Sequence, residues 1–288
     1  MVTDYTEHRL AIVGAGVMGT NITTLAVGYG VPVVLVDLND DVLSLARTTV
    51  AQKLRHAQLM GALPHDRPQG ELVTSVSLGD AADATTVIEA VVEVPETKAK
   101  VLAEISALVG PGTTLISNTS CVPIDELADS VTHADKLVGV HFMNPSYLIK
   151  MVEVIQGGRT SDVTLESVNS LLAALGRDAL VVRDSAGFVI NRLLHPLINS
   201  AATLVQEGVA SVEVIDGLLE GCLGHSTGPL RTADLIGLDN LVDSLNVLYE
   251  RREDESCRPC ELLLSKVREG DLGRKSGRGF YGYGKVAS

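Results

Sequence analysis

Tryptophan is absent and aromatic residues make up only 3% of the 288-residue chain, so platforms on which nucleic-acid bases stack are not expected. Cations are also few: 23 Lys and Arg stand against 36 Asp and Glu, a formal net charge of −13. That balance excludes a protein built to hold a nucleic-acid backbone, which needs clustered Lys and Arg. It leaves room for an anionic small ligand, because the N–H groups at one helix end hold a pyrophosphate without help from net charge. No apolar run approaches the ~18 residues of a membrane helix, and no membrane partner is expected. The start, Met1 to Arg9, is polar with both charge signs and does not read as a secretory leader. Four cysteines are too few for a disulfide framework in a chain this long and suit a reducing cytoplasm.

What the chain does have is a hydrophobic content of 45%, enough for a sizeable core. Short apolar runs at residues 10–13, 33–36, 87–91, 114–117, 137–140, 152–155 and 180–182 read as strands buried on both faces. Amphipathic stretches such as 41–60 and 97–109 lie between them. Strand alternating with helix predicts an α/β fold with a parallel, doubly wound sheet. Beyond Asp184 the strand signal ends, and residues 188–207, 212–221, 232–252 and 260–269 read as helices between Gly and Pro punctuation. The expected division is therefore residues 1–184, a nucleotide-binding domain, and residues 185–288, an all-helical domain. The first of those helices is apolar on more than one face, as a core or subunit-interface helix would be.

The strongest local motif is Gly14-Ala15-Gly16-Val17-Met18-Gly19. It follows one predicted strand, opens an apolar helix, and is followed by a second strand ending in Asp37, 23 positions after Gly14. This is the context a dinucleotide fingerprint requires. Gly14 permits the turn, Gly16 lets the backbone approach the pyrophosphate, and Gly19 lets the helix pack on the sheet. Asp37 would accept from the adenosine ribose hydroxyls and repel a 2′-phosphate, so NAD is expected over NADP.

Polar residues then recur at the ends of successive predicted strands, the edge where open parallel sheets bind ligands. Glu89 and Glu93 follow one strand; Ser117-Asn118-Thr119-Ser120 follows the next; His141 and Asn144 close the third. Glu153 lies inside the otherwise apolar run Met151-Val152-Glu153-Val154-Ile155, where a carboxylate needs a partner. From spacing alone two readings stand. His141 and Glu153 are a general base with its orienting carboxylate, or a packed strand-end histidine and a glutamate paired with a surface lysine.

Together these segments resemble the 3-hydroxyacyl-CoA dehydrogenase family, in its short single-function form, from Leu10 to Tyr281. The resemblance runs through G-A-G-V-M-G, V-I-E-A-V-V-E, S-N-T-S, H-F-M-N-P, M-V-E-V-I, D-S-A-G-F-V-I-N-R-L-L, G-P-L-R-T-A-D-L-I-G-L-D and G-R-K-S-G-R-G-F-Y, in that order. It implies an NAD-dependent oxidoreductase acting at C3 of a short acyl thioester, with a helical C-terminal domain that binds substrate and forms a homodimer. By the same resemblance His141 is the catalytic base and Glu153 orients it. Ser120 and Asn191 hold the reacting oxygen and the cofactor ring, and Asn144 supports that pocket. Glu93 and Lys98 touch the cofactor; Asn118 joins the cofactor-binding set with Gly14, Gly16, Val17, Met18, Gly19 and Asp37. Ser120, Asn144 and Asn191 also form the implied substrate-binding set.

The chain departs from the family pattern at several points. Asn21 stands where a glycine is usual and is expected to point to solvent. Val94 replaces an asparagine, and Cys121 replaces a serine as a small hydrophobe. Residues 40–64 carry only Arg47, Lys53 and Arg55 as Lys or Arg, where many relatives place lysines near the nucleotide end of coenzyme A. CoA remains the first expectation for the thioester carrier, with an acyl carrier protein second and a free hydroxy acid or a non-catalytic NAD binder beyond that. Cys257-Arg258-Pro259-Cys260 supplies two ligands where a zinc site needs four, so it is read as a turn at a helix start and no metal is expected. His195 reads as a core or interface histidine, and Arg274, Lys275 and Arg278 as parts of a closing turn.

Overall fold

The computed structural model describes residues 8–284; most of the polar start, residues 1–7, lies outside the described residues. The chain forms two compact units, Met1–Ser185 and Ala186–Ser288.

The first unit contains β1 (Leu10–Val13), α1 (Val17–Gly28), β2 (Val33–Val36), α2 (Asp40–Leu59), β3 (Leu72–Ser75), β4 (Thr86–Glu89), α3 (Pro95–Leu108), β5 (Thr114–Ser117), α4 (Ile124–Ala128), β6 (Leu137–His141), β7 (Met151–Gln156), α5 (Asp162–Ala174) and β8 (Asp178–Arg183). The strands form one sheet in the order β3-β2-β1-β4-β5-β6-β7-β8. Its core gathers Leu10, Ile12, Ile22, Leu35, Ile88, Ile116, Val138, Val140, Val152 and Val154 from strands and helices. Apolar residues on both strand faces produce this two-sided burial. Two helices begin on a side-chain acceptor: Asn39 caps α2 through the N–H groups of Asp41 and Val42, and Ser161 caps α5 through that of Thr164.

One expectation needs correction. The sheet is parallel except at β6–β7, which pair antiparallel, with Gly139 opposite Ile155, Val140 opposite Val154 and His141 opposite Glu153. The cause is the length of the connection, residues 142–150. A parallel return needs a crossover of about a dozen residues or more, usually a helix, and this segment holds none. β7 and β8 are then parallel to each other across α5. The edge strand β3 escapes a reading based on apolar runs because its four residues are all partly or well exposed.

The second unit is helical: α6 (Ile190–Gln206), α7 (Val212–Leu223), α8 (Pro229–Ile236), α9 (Leu238–Arg252) and α10 (Glu261–Arg268). The single helix expected over 232–252 is two. Gly237 ends α8 at φ 96°, a conformation that costs glycine little and interrupts a helix. The core holds Ile198, Ala202, Leu230, Leu238, Leu241, Leu245 and Leu248. On α6 the buried residues include Asn191, His195 and Asn199, whereas Leu193 is 68% exposed and Leu197 and Leu204 are also open. The closing turn is fixed by ion pairs, Lys275 to Asp239 and Arg278 to Asp271. Its Phe280 and Tyr281 N–H groups and the Tyr283 hydroxyl donate to the buried Asp234. Cys260 occupies the N-cap position of α10.

Candidate active site

Strand register places the site. Val13, Glu89, Ser117 and Gly139 share one row across β1, β4, β5 and β6, so the loops beyond all four open on the same carboxyl edge. At β1 the three motif glycines differ in what demands them. Gly14 has φ +104°, and a Cβ there would meet the Ala90 carbonyl oxygen at 2.6 Å; a Cβ on Gly19 would meet the Gly14 carbonyl oxygen at 1.8 Å. Both are required by the chain's own packing. A Cβ on Gly16 would meet nothing within 4 Å, so its glycine leaves open space over the start of α1. Gly16 is also the N-cap residue and offers no side-chain acceptor to the helix. The first-turn N–H groups, those of Val17 and Met18 among them, therefore face that space as a dinucleotide phosphate would need. Asp37 closes the turn: its Oδ2 accepts from the Ala15 N–H at 2.8 Å and its Oδ1 from Asn39 N–H at 3.2 Å. These residues fit NAD.

Beyond β4 lies a buried charge network. Glu89, fully buried, accepts from Lys98 Nζ at 2.8 Å and the Val91 N–H at 2.8 Å, and from the Ser117 hydroxyl at 2.6 Å. Lys98 is 1% exposed and its ammonium also reaches Glu93 at 3.1 Å. Glu93 in turn accepts from the Thr119 hydroxyl at 2.5 Å and from the Ser120 and Cys121 N–H groups at 2.7 and 3.0 Å. Desolvation alone would raise the Glu93 carboxyl; the Lys98 charge and these hydrogen bonds outweigh it and hold the group below its ordinary range. Desolvation would likewise lower the Lys98 amine, and the two carboxylates instead raise it. Lys98 is thus sealed, and it reaches the open edge through Glu93, whose side chain stays 39% exposed. The network fixes the loop carrying Ser120.

At the antiparallel junction, His141 Nδ1 lies 2.8 Å from Glu153 Oε2, with both residues buried. Of the two readings open from spacing, the pairing of Glu153 with a surface lysine fails. A carboxylate on Nδ1 favours the tautomer whose lone pair is on Nε2, the form of a general base. Asn118, buried, accepts the Phe142 N–H through Oδ1 at 3.2 Å and ties the end of β5 to the segment after β6. Asn144 is exposed and accepts from Asn21 Nδ2 at 2.7 Å. Asn191 is buried within α6 of the second unit.

Two features were missed or misread in the sequence. Asn21 is 2% exposed, not solvent-facing, because its turn of α1 packs inward. Glu89 carries the charge network although its role was not anticipated. The signal was present: a carboxylate closing the apolar run Thr86-Val87-Ile88-Glu89 demands a partner by the same rule that singled out Glu153. Val94 is the N-cap of α3 and makes no side-chain cap bond. Cys121 is buried.

Residues 9–185 match the family described as "3-hydroxyacyl-CoA dehydrogenase, NAD binding domain", and residues 187–283 match its "C-terminal domain". The chain is 37% identical to 3-hydroxybutyryl-CoA dehydrogenase of Bradyrhizobium diazoefficiens over 96% of its own length and 95% of the relative's. Among solved structures, FadB2 of M. tuberculosis superposes with a TM-score of 0.91 at 34% identity, covering 96% of this chain and 99% of that one. The (S)-3-hydroxybutyryl-CoA dehydrogenase of Ralstonia eutropha gives a TM-score of 0.87 at 38% identity, with coverage of 96% and 99%.

Proposed function

The chain is an NAD-dependent dehydrogenase belonging to the 3-hydroxyacyl-CoA dehydrogenase family, and we propose that it interconverts the 3-hydroxy and 3-oxo forms of a short acyl-CoA such as 3-hydroxybutyryl-CoA. The observation that carries this reading is the His141–Glu153 pair, 2.8 Å apart on adjacent strands at the edge where the glycine turn also opens. NAD, when bound, supplies the hydride acceptor for C3. Gly16 and the first turn of α1 hold its pyrophosphate and Asp37 its adenosine ribose. His141 Nε2 takes the C3 hydroxyl proton while Glu153 stabilises the imidazolium that forms. In reduction His141 returns that proton. Ser120 donates to the reacting oxygen, and Asn144 and Asn118 support the same pocket. The exposed leucines of α6, Leu193, Leu197 and Leu204, are the surface a homodimer would cover. The four cysteines form no disulfide, which suits work in the cytoplasm.

One observation favours a second carrier. Of the three cations of residues 40–64, Arg47 donates to the Thr74 hydroxyl and Lys53 Nζ to Thr20 Oγ1 at 3.1 Å. Burial also lowers the Lys53 amine. Arg47 and Arg55 are exposed and Lys53 is half-buried, a sparse cradle for CoA phosphates, and an acyl carrier protein has no such nucleotide end. Loss of nicotinamide absorbance when NADH is mixed with acetoacetyl-CoA, compared with acetoacetyl carrier protein, tests both. Faster turnover of the CoA ester is expected; preference for the carrier protein reverses the assignment, and turnover of neither sinks the reading.

A further inference from the structure

The segment after His141, residues 142–150, is pinned by side chains from elsewhere in the first unit. Phe142 N–H donates to Asn118, and the buried guanidinium of Arg177 donates to the carbonyls of Ser146 and Ile149 at 3.2 and 3.0 Å. A further tie is the bond from Asn21 Nδ2 to Asn144 Oδ1 at 2.7 Å. It differs from the others in joining two side chains: one is buried in α1, two residues past the glycine motif, and the other is exposed three residues after His141. Asparagine in a helix interior is less favourable than alanine, and a buried amide costs free energy unless it is hydrogen-bonded. A glycine at position 21, the residue the family resemblance predicts, has no side chain to make this bond.

We propose that Asn21 is a positioning residue that locks the Asn144 amide, holding its oxygen inward so that its NH2 group is presented as a donor to the bound reactants. With Oδ1 engaged, Asn144 has no other side-chain partner among the described residues, and the residue is exposed, so its Nδ2 hydrogens are left to an incoming ligand. The helix that receives the pyrophosphate and the loop that follows the catalytic base are thereby held in one register by a single amide pair. This rests on the reading of Asn144 as a site residue given above.

The test is a double-mutant cycle on the full chain, with acetoacetyl-CoA and NADH as reactants and thermal unfolding measured in parallel. Asn21→Ala should lower kcat/KM by about 3- to 10-fold, the worth of one hydrogen bond, with little change in Tm. In an Asn144→Ala background the same substitution should cost nothing further, because its target is gone. Asn21→Asp keeps the volume but can only accept; it forces Asn144 to turn its oxygen outward and should not restore activity. Additive losses in the cycle, or full activity in Asn21→Asp, would overturn the proposal. If Asn144→Ala is itself fully active, the site reading of Asn144 falls first. If Asn144→Ala is impaired and Asn21→Ala is not, only the role of Asn21 falls.

Discussion

From β3 to β6 the sheet is parallel, and its polar groups sit on the last strand residues and in the loops beyond them; at β6–β7 it turns antiparallel, and an imidazole and a carboxylate oppose each other across the ladder. The parallel half offers backbone N–H groups at a helix start and a carboxylate-locked loop, a static frame for charge. The junction offers one imidazole and one carboxylate directly opposed, a device for moving a proton. On the proposed function, binding and chemistry fall to strand pairs of opposite sense, and damage to one is expected to spare the other.

His141→Ala should break the chemistry alone. A general base contributes about 10²–10⁴-fold, so kcat should fall by that order while the dissociation constant for NAD, read by fluorescence titration, stays within about twofold. An equal loss of NAD affinity would mean the two halves are not separable. Lys98→Met attacks the frame. It leaves the buried carboxylate of Glu89 without its cation, and breaking a buried pair costs about 3–5 kcal/mol, read as a drop in the denaturant midpoint.

The same network sets a pH window for stability. Glu93 is held below its ordinary value of 4.5, so its contribution is complete above that pH and is lost as pH falls through the lower folded value. Lys98 is held above its ordinary 10.5, so its contribution is complete below that pH and is lost as pH rises through the higher folded value. Wild type should lose stability at both ends of this window, and Lys98→Met should not show the alkaline loss.

The glycine turn sharpens the comparison further. Gly16→Val fills space that no protein atom occupies within 4 Å, so the fold should survive while NAD binding weakens by about tenfold or more, roughly 1.4 kcal/mol. Gly19→Ala, by contrast, drives a methyl into the Gly14 carbonyl and should unfold the turn, seen in thermal melts without ligand. Smallest of all, Val94→Asn gives α3 the cap it lacks and should add about 1 kcal/mol of stability.

Much of this is legible in the sequence alone. The glycine motif, Asp37 and the strand-end clusters follow from local spacing, and local spacing is what β1–α1–β2 depends on. The direction of β7 was equally readable, since residues 142–150 are too short for a crossover, but apolar runs carry no direction and the sheet was expected to be parallel throughout. Gly237 likewise breaks a helix that periodicity alone continues. The charge network was harder. Glu89, Glu93 and Lys98 meet only because the turn from β4 into α3 folds the lysine back onto both carboxylates, and only the alignment of β4 with β5 brings Ser117 to Glu89. The inward turn of Asn21 depends on how α1 lies on the sheet, which spacing within the helix does not specify.

The antiparallel pairing of β6 and β7 has one more outcome. Residues facing each other across such a ladder alternate with the pleat, so a slip of a single position along β7 would set Val152 or Val154 against His141 in place of Glu153. The imidazole would then face a hydrocarbon, with nothing to favour its protonated form. Insertions in the connecting segment would leave that alignment intact, whereas an insertion within β7 would silence the enzyme without touching a single reactive atom.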